Sequence, residues 1–330
     1  MSTQPVLCLQ LLANRKLEPG AIKLRFSPGD HNTLLPFVAD ERFLAFAHSF
    51  PCVIATENAS DFSPELFKAL KDAGCHPTPQ GSFHNSDENA KPVLPPHVEW
   101  LSGDWYLNPP QKVSDNQAAS HSLSLKLLQL VAQDADTCEI ETVFRQDPVL
   151  AYHLLRLVNS LGAGVGRRIS SFSQAILILG RQQLKRWLNL MLFAANRDDF
   201  RTAMLMARVT LRSRSMELLA KAGGFDRTEQ DQAFMAGMFS LLGILFAKPL
   251  SDILTPLKLN DSLAKAVLSN EGKLGRLLLA IKKLEQADET GLSELFDEFQ
   301  LAPEAYNLVS LEAHQWMLNA IHDKSGASDA

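Results

Sequence analysis

The chain has 330 residues, 46% hydrophobic and 21% charged, an ordinary composition for a soluble globular protein with room for two domains. Its four cysteines, Cys8, Cys52, Cys75 and Cys138, are too widely spaced for a zinc pattern and read as reduced thiols of a cytosolic protein. The formal net charge of −5 conceals a basic middle: 13 Lys+Arg against 4 Asp+Glu between Arg156 and Arg227 give +9, which leaves −14 for the rest. That asymmetry points either to an anionic partner or to pairing within the molecule.

The first residues carry no charged n-region ahead of an apolar core, so no signal peptide is expected. PVLCLQLL and AIKLRF read as strands around a turn at Glu18-Pro19-Gly20. PCVIAT is a short apolar, β-branched run of the kind a buried parallel strand shows. SPELFKALKDAG reads as a capped amphipathic helix, with Ser63 at the cap, Pro64 at the first position and Gly74 at the end. Residues 77–96 are rich in Pro, Ser, Asn and Gly and predict a long loop, after which HVEWLSG gives one more strand.

From Ser120 onward nearly everything reads as helix. Leu123, Leu127, Leu128 and Val131 mark the opening one. In DPVLAYHLLRLVNSLGAGVGRRISSFSQAILILG, residues 147–180, Asp147 is an N-cap and Pro148 suits the first helical position. Leu150, Leu154, Leu155 and Val158 recur at helical spacing, and Asn159 and Ser160 end the run. Gly162, Gly164 and Gly166 loosen the chain, and Arg167 and Arg168 charge it. Ser171 with Gln174 forms a capping box for a short helix that Gly180 terminates. A helix over 181–195 sets Leu184, Trp187, Leu188, Met191 and Leu192 on one face and Lys185 and Arg186 on another. Another covers 200–222. A helix over 229–246 is the one expected to be buried on all sides, and its apolar part is short for a membrane span. Smaller helices follow over 263–268, 274–286 and 292–299. Pro303 starts the last helix, and SGASDA reads as a disordered tail.

The order Asp147, Pro148, Leu154, Leu155, Asn159, Ser160, Ile169, Ser171, Ala175, Ile176, Leu179 and Gly180 closely resembles the HDOD domain. That family has a DP-initiated helix ending in LLRLVNS, an I-S-S turn and an AI-x-x-LG helix. The resemblance implies an all-α fold of the HD superfamily, a role in bacterial signalling, and no metal site. In one bacterial group an HDOD domain follows a degenerate EAL domain, the fold of cyclic-di-GMP phosphodiesterases. Leu101-Ser102-Gly103-Asp104-Trp105-Tyr106-Leu107-Asn108-Pro109 resembles the closing turn of such a domain, and AIKLRF sits where it has a YELLFR-like strand. The space before the helical half is too short for a complete EAL barrel. The expected architecture is therefore α+β overall: a shortened, degenerate EAL-like α/β domain over 1–112, an all-α HDOD domain over 113–324, and a tail over 325–330.

Neither resemblance brings its chemistry along. An EAL enzyme needs clustered carboxylates to bind hard metal ions and activate water. The strand that should carry the signature glutamate reads Ile22-Lys23-Leu24, and the place of the paired aspartates reads Gln80-Gly81-Ser82-Phe83. Asp61, Glu65 and Asp72 are spaced like a solvated helix face. HD hydrolases carry an adjacent His-Asp pair in G-L-L-H-D-I-G; the matching Gly237-Met238-Phe239-Ser240-Leu241-Leu242-Gly243 puts Ser240 and Leu241 at those positions. Leucine cannot ligate a metal, and a lone serine is a poor ligand. The histidines offer no replacement: His153 reads as a packed or surface residue rather than a ligand, and His314 and His322 share a helix face without a carboxylate set. The three spaced glycines follow a helix, which argues against a dinucleotide fingerprint. No catalytic residue, metal or cofactor is predicted.

One candidate binding site remains, the loop after the signature helix, lined by Asn159, Ser160, Arg167, Arg168, Ser170 and Ser171 beside a capped helix N-terminus. The structural alternative has Asn159 and Ser171 as caps and the arginines paired with acidic residues. The expectation is a cytoplasmic, non-catalytic adaptor that reaches signalling proteins through its HDOD domain, without membrane insertion or a nucleic-acid reader motif. The alternative is a sensor that recognises a cyclic dinucleotide or similar anion through the basic loop. An active metal-dependent phosphohydrolase is the reading the residues support least.

Overall fold

The computed structural model describes residues 5–56, 62–88, 90–109, most of 125–143, Arg186, residues 199–257, 259–286, Asp288 and residues 292–322. The N-terminal half is a mixed sheet with helices. Strands β1 (Leu7–Ala13) and β2 (Pro19–Phe26) form an antiparallel hairpin. Short helices α1 (Leu35–Val38) and α2 (Glu41–Ser49) follow, then β3 (Cys52–Ala55), α3 (Pro64–Asp72) and β4 (Cys75–Thr78). β3 runs parallel to β2, and β4 parallel to β3. All four residues of β3 are buried, as expected of a parallel strand covered on both faces. Strands β5 (Phe83–Asn85) and β6 (Trp100–Ser102) pair in parallel, and the spatial order is β4-β3-β2-β1-β6-β5. Helix α3 has the predicted caps: Ser63 Oγ accepts the Leu66 N–H (3.2 Å), and Leu66 and Leu70 face the core.

Two details of this half depart from the sequence reading. The hairpin turn comes earlier than Glu18-Pro19-Gly20. Asn14 Oδ1 accepts the N–H groups of Lys16 (2.8 Å) and Glu18 (3.2 Å), Leu17 takes a φ of 62°, and Pro19 already belongs to β2. An asparagine that bonds its own following backbone makes the turn without proline or glycine at its centre. Residues 77–96 are not one long loop, because they hold the end of β4, a 3-10 turn over Gln80–Ser82, and β5. Pro77 is tolerated in β4 because β4 is an edge strand with one free side.

The remaining described chain is helical. A helical stretch over 125–131 precedes α4 (Thr202–Ala222), α5 (Arg227–Phe239), α6 (Leu242–Phe246), α7 (Leu250–Leu254), α8 (Asp261–Ser269), α9 (Gly272–Glu285), α10 (Leu292–Glu298) and α11 (Pro303–His322). Most of the 21 residues of α4 are buried, including Thr210, Arg212, Ser213 and Glu217, so α4 is the central helix. The expectation of one all-round-buried helix over 229–246 is corrected in two ways. That stretch is less central than α4, and it breaks at Ser240-Leu241. Ser240 Oγ donates to Gly237 O (2.6 Å), and the Leu241 N–H turns to Met238 O (3.2 Å). This tightening ends α5 before Leu242 starts α6. Among the described residues, no single helix is long and apolar enough to cross a membrane.

Gly237 sits where α5 crosses α4. A Cβ there would lie 2.8 Å from Ser213 Cα and 3.0 Å from Arg212 O, both backbone atoms of α4. Gly237→Ala should therefore push the two helices apart and cost about 1–3 kcal/mol. Urea unfolding checks this, and an unchanged midpoint would contradict the close approach.

The two halves share one continuous buried core. Trp105, just after β6, stacks on Phe200 before α4 with ring centroids 6.0 Å apart. Helix α11 lies along β1, which meets β6 only at Ala13↔Leu101. The open edge of β1 is satisfied by helix side chains instead of a strand. Asn307 Oδ1 accepts the Leu7 N–H (2.7 Å), Asn307 Nδ2 donates to Pro5 O (3.0 Å), and His314 Nε2 lies 3.2 Å from Leu9 O. Buried backbone groups need such partners.

Candidate functional site

Asn159, Ser160, Arg167, Arg168, Ser170 and Ser171 all lie outside the described residues, as does the rest of 147–180. Ser240 and Leu241 are described. Leu241 is 1% exposed. Ser240 sits at the break between α5 and α6 and faces a polar seam between the sheet and the helices.

That seam is built mainly from α4. Arg208 and Arg212 are four residues apart and so share one face of this largely buried helix. Arg212 holds Glu285, the last residue of α9, with two bonds: Nε to Oε1 (2.9 Å) and Nη2 to Oε2 (2.5 Å). Its Nη1 donates to Ser240 Oγ (2.8 Å). Arg208 donates to the Tyr106 hydroxyl from Nε (2.9 Å) and Nη2 (2.6 Å). It lies 3.6 Å from Glu285 Oε2 and 3.6 Å from Asp104 Oδ1. Burial alone would raise the Glu285 carboxyl, but the two guanidiniums outweigh it and hold Glu285 below the usual carboxylate range. Burial pushes the Tyr106 hydroxyl up, so it stays protonated.

Two adjoining cavities open along this network. One, about 220 Å³, lies against β1, with Cys8, Gln10, Asp87, Arg208, Tyr306 and His314 in its wall. The other, about 390 Å³, has Arg208, Arg212, Ser240, Leu241, Lys282 and Glu285 in its wall. Ser240 and Leu241 thus face a chamber with arginine and lysine in its wall. Among the described residues, no three His, Cys, Asp or Glu side chains gather as a metal site would require. The sequence reading missed Arg208, Arg212, Tyr106 and Glu285 as site residues. The one signal available was a pair of arginines at helical spacing among apolar neighbours.

Several described arginines of the basic middle pair within the molecule. Arg186, read as part of a polar helix face, is buried, pairs with Glu217 (2.8 Å) and Asp231, and lies over the Phe234 ring. Arg201 clamps Asp199 and donates to Asn108 O across the seam. Arg214 bridges Glu217 (2.8 Å) and Glu312 (2.6 Å). Among the described residues, Arg186, Arg208, Arg212 and Arg214 each reach an acid outside the basic middle, so internal pairing covers part of the charge asymmetry.

His314, at the edge of the smaller cavity, has Nδ1 2.7 Å from Ser310 O and Nε2 3.2 Å from Leu9 O, and the neutral ring donates to one of these carbonyls at a time. Burial pushes its pKa down to about 4, although the two carbonyls pull the other way. The unfolded ring protonates near pH 6.5, whereas the folded ring resists until about pH 4, so the neutral ring favours the fold. This contribution is complete above pH 6.5 and is lost as pH falls towards 4, for about 3 kcal/mol in all. Urea unfolding at pH 7 and pH 5 should show the loss, and His314→Gln should flatten it. An equal slope in the variant would assign the loss to other groups.

Residues 120–256 match the family model of the HDOD domain. A protein of Vibrio cholerae named cyclic di-GMP phosphodiesterase CdgJ is 30% identical over 197 residues, which cover 59% of this chain and 45% of that protein. YuxH, an uncharacterized protein of Bacillus subtilis, is 26% identical over 224 residues, covering 67% of this chain and 54% of YuxH. The chain thus spans about half the length of the curated relatives it matches. A Shewanella amazonensis crystal structure, assigned to the phosphohydrolases by name alone, superposes with a TM-score of 0.42 at 16% identity, covering 61% of this chain and 93% of the other.

Proposed function

We propose that this HDOD-domain signalling protein is non-catalytic and works through protein contacts of its helical half, with the N-terminal sheet docked on that half as a modulator. The observation that supports this most is the environment of Ser240 and Leu241. A guanidinium stands 2.8 Å from Ser240 Oγ, where an HD hydrolase would present a metal ligand, and a fixed cation there repels a metal ion. Leu241 supplies only packing.

The competing reading is hydrolysis of a cyclic dinucleotide, suggested by the name of the Vibrio cholerae relative. It lacks support from the sheet, where the expected glutamate position holds Lys23, with Nζ 4.3 Å from the centre of the Phe83 ring. The purified chain is expected to retain no stoichiometric transition metal and to leave cyclic di-GMP intact in Mg²⁺ and in Mn²⁺. Metal analysis and a turnover assay check this. Turnover that Ser240→Ala or Lys23→Ala abolishes would sink the proposal.

A further inference from the structure

Among the described residues, the charges that line the larger cavity do not balance. Four cations, Arg208, Arg212, Lys282 and Lys283, line the larger cavity with three acids, Asp104, Glu285 and Asp288. Lys283 Nζ pairs with Asp288 (2.9 Å), and Glu285 is shared by both arginines. Asp104 lies 3.6 Å from Arg208, and its side chain is 45% exposed, so water takes up part of its charge. Lys282 is left over. Its Nζ donates to the neutral Asn270 Oδ1 (3.0 Å), and it forms no ion pair among the described residues.

A half-buried ammonium beside two buried guanidiniums is electrostatically costly without a counter-charge. Burial and then Arg212 depress the proton affinity of Lys282, and the nearby Glu285, already engaged by both arginines, offsets this only in part. We propose that the cavity binds a phosphoryl group, held by Lys282 from α9 and Arg212 from α4, with Ser240 Oγ beside it. A phosphoryl oxyanion fits donors that approach from two helices, and its charge of about −1.5 to −2 near neutral pH more than offsets the local surplus of one positive charge. The chamber of about 390 Å³ falls at the small end of ligand pockets, roughly 300–1,000 Å³, and leaves room beyond the phosphoryl group for a small organic moiety. The wall includes Asp104 and Leu107 from the sheet half, so an occupant touches both halves. The proposal is independent of whether the chain signals through protein contacts.

Thermal melts of the full chain test it, with inorganic phosphate and ribose 5-phosphate as probes and with chloride and acetate at matched ionic strength as controls. A saturable rise in Tm is expected with a phosphoryl probe and not with chloride or acetate. Lys282→Gln should weaken the apparent affinity about tenfold or more, and Lys282→Arg should retain it. Asn270→Asp leaves the lysine in place but supplies an internal counter-charge, and should abolish the response even if Lys282→Gln folds poorly. Stronger binding of ribose 5-phosphate assigns the site to a phosphorylated metabolite; equal or stronger binding of phosphate assigns it to the free ion. No saturable response to either probe up to about 10 mM, an equal response to acetate, or an undiminished response in Asn270→Asp would overturn the proposal.

Discussion

Trp105→Ala is expected to destabilise the whole molecule by about 3–5 kcal/mol, a large share of the 5–15 kcal/mol typical of a folded protein. Trp105 is 1% exposed, packs edge-on against Tyr106 (5.3 Å between centroids) and stacks on Phe200. Deleting the indole opens a hole between the sheet and α4 that neither element can close alone, because Tyr106 is itself tied to Arg208. The core is continuous across both halves, so the loss should lower one cooperative transition rather than detach one half. Circular dichroism and tryptophan fluorescence followed through a urea titration test this. Coincident curves with a lowered midpoint are expected. Two separated transitions, or a midpoint within error of the parent, would contradict a shared core.

Glu285→Gln is the second large effect, at about 3–5 kcal/mol. One carboxylate serves Arg212 through two bonds and lies near Arg208. An amide keeps the shape but removes the charge, which leaves two buried guanidiniums facing each other across a poor acceptor. Much of the cost is then repulsion and unpaired burial, not the loss of two hydrogen bonds. A double-mutant cycle separates these. Arg212→Met alone should be costly because it leaves the buried Glu285 with only the longer contact to Arg208. Combined with Glu285→Gln it should cost less than the two single effects added together. Strict additivity would mean that the pair is not coupled and that the seam is held by its apolar parts alone.

Much of the secondary structure could be read from the chain because its causes are local. Ser63 and Pro64 start α3, and Pro303 starts α11, as side-chain chemistry within one helical turn requires. The helix predicted over 200–222 is α4, Thr202–Ala222, since apolar spacing and the following glycines act within neighbouring turns. The break at Ser240-Leu241 escaped the same reasoning. An apolar run looks alike whether the backbone continues or turns, and the decision rests on a serine hydroxyl bonding back to Gly237.

The candidate site was legible only in part, for a related reason. Ser240 and Leu241 could be placed by family resemblance, and their lack of ligating chemistry follows from residue type alone. Their surroundings could not be read. Arg212 meets Glu285 from 73 positions away, and Arg208 meets Tyr106 from 102 away. Composition could state that the middle is basic and the rest acidic, but not which arginine finds which acid. By itself the sequence determined the mixed sheet followed by helices and, among the described residues, the limits of several helices such as α3, α4 and α11, because propensity and capping act over a few residues. Only the tertiary structure decided that α4 is the central helix, that α11 closes the edge of β1, and that Lys282 forms no ion pair among the described residues beside a chamber of paired arginines. Those outcomes depend on which distant groups share a low-dielectric interior, where each charge needs a partner and each strand edge a donor or acceptor.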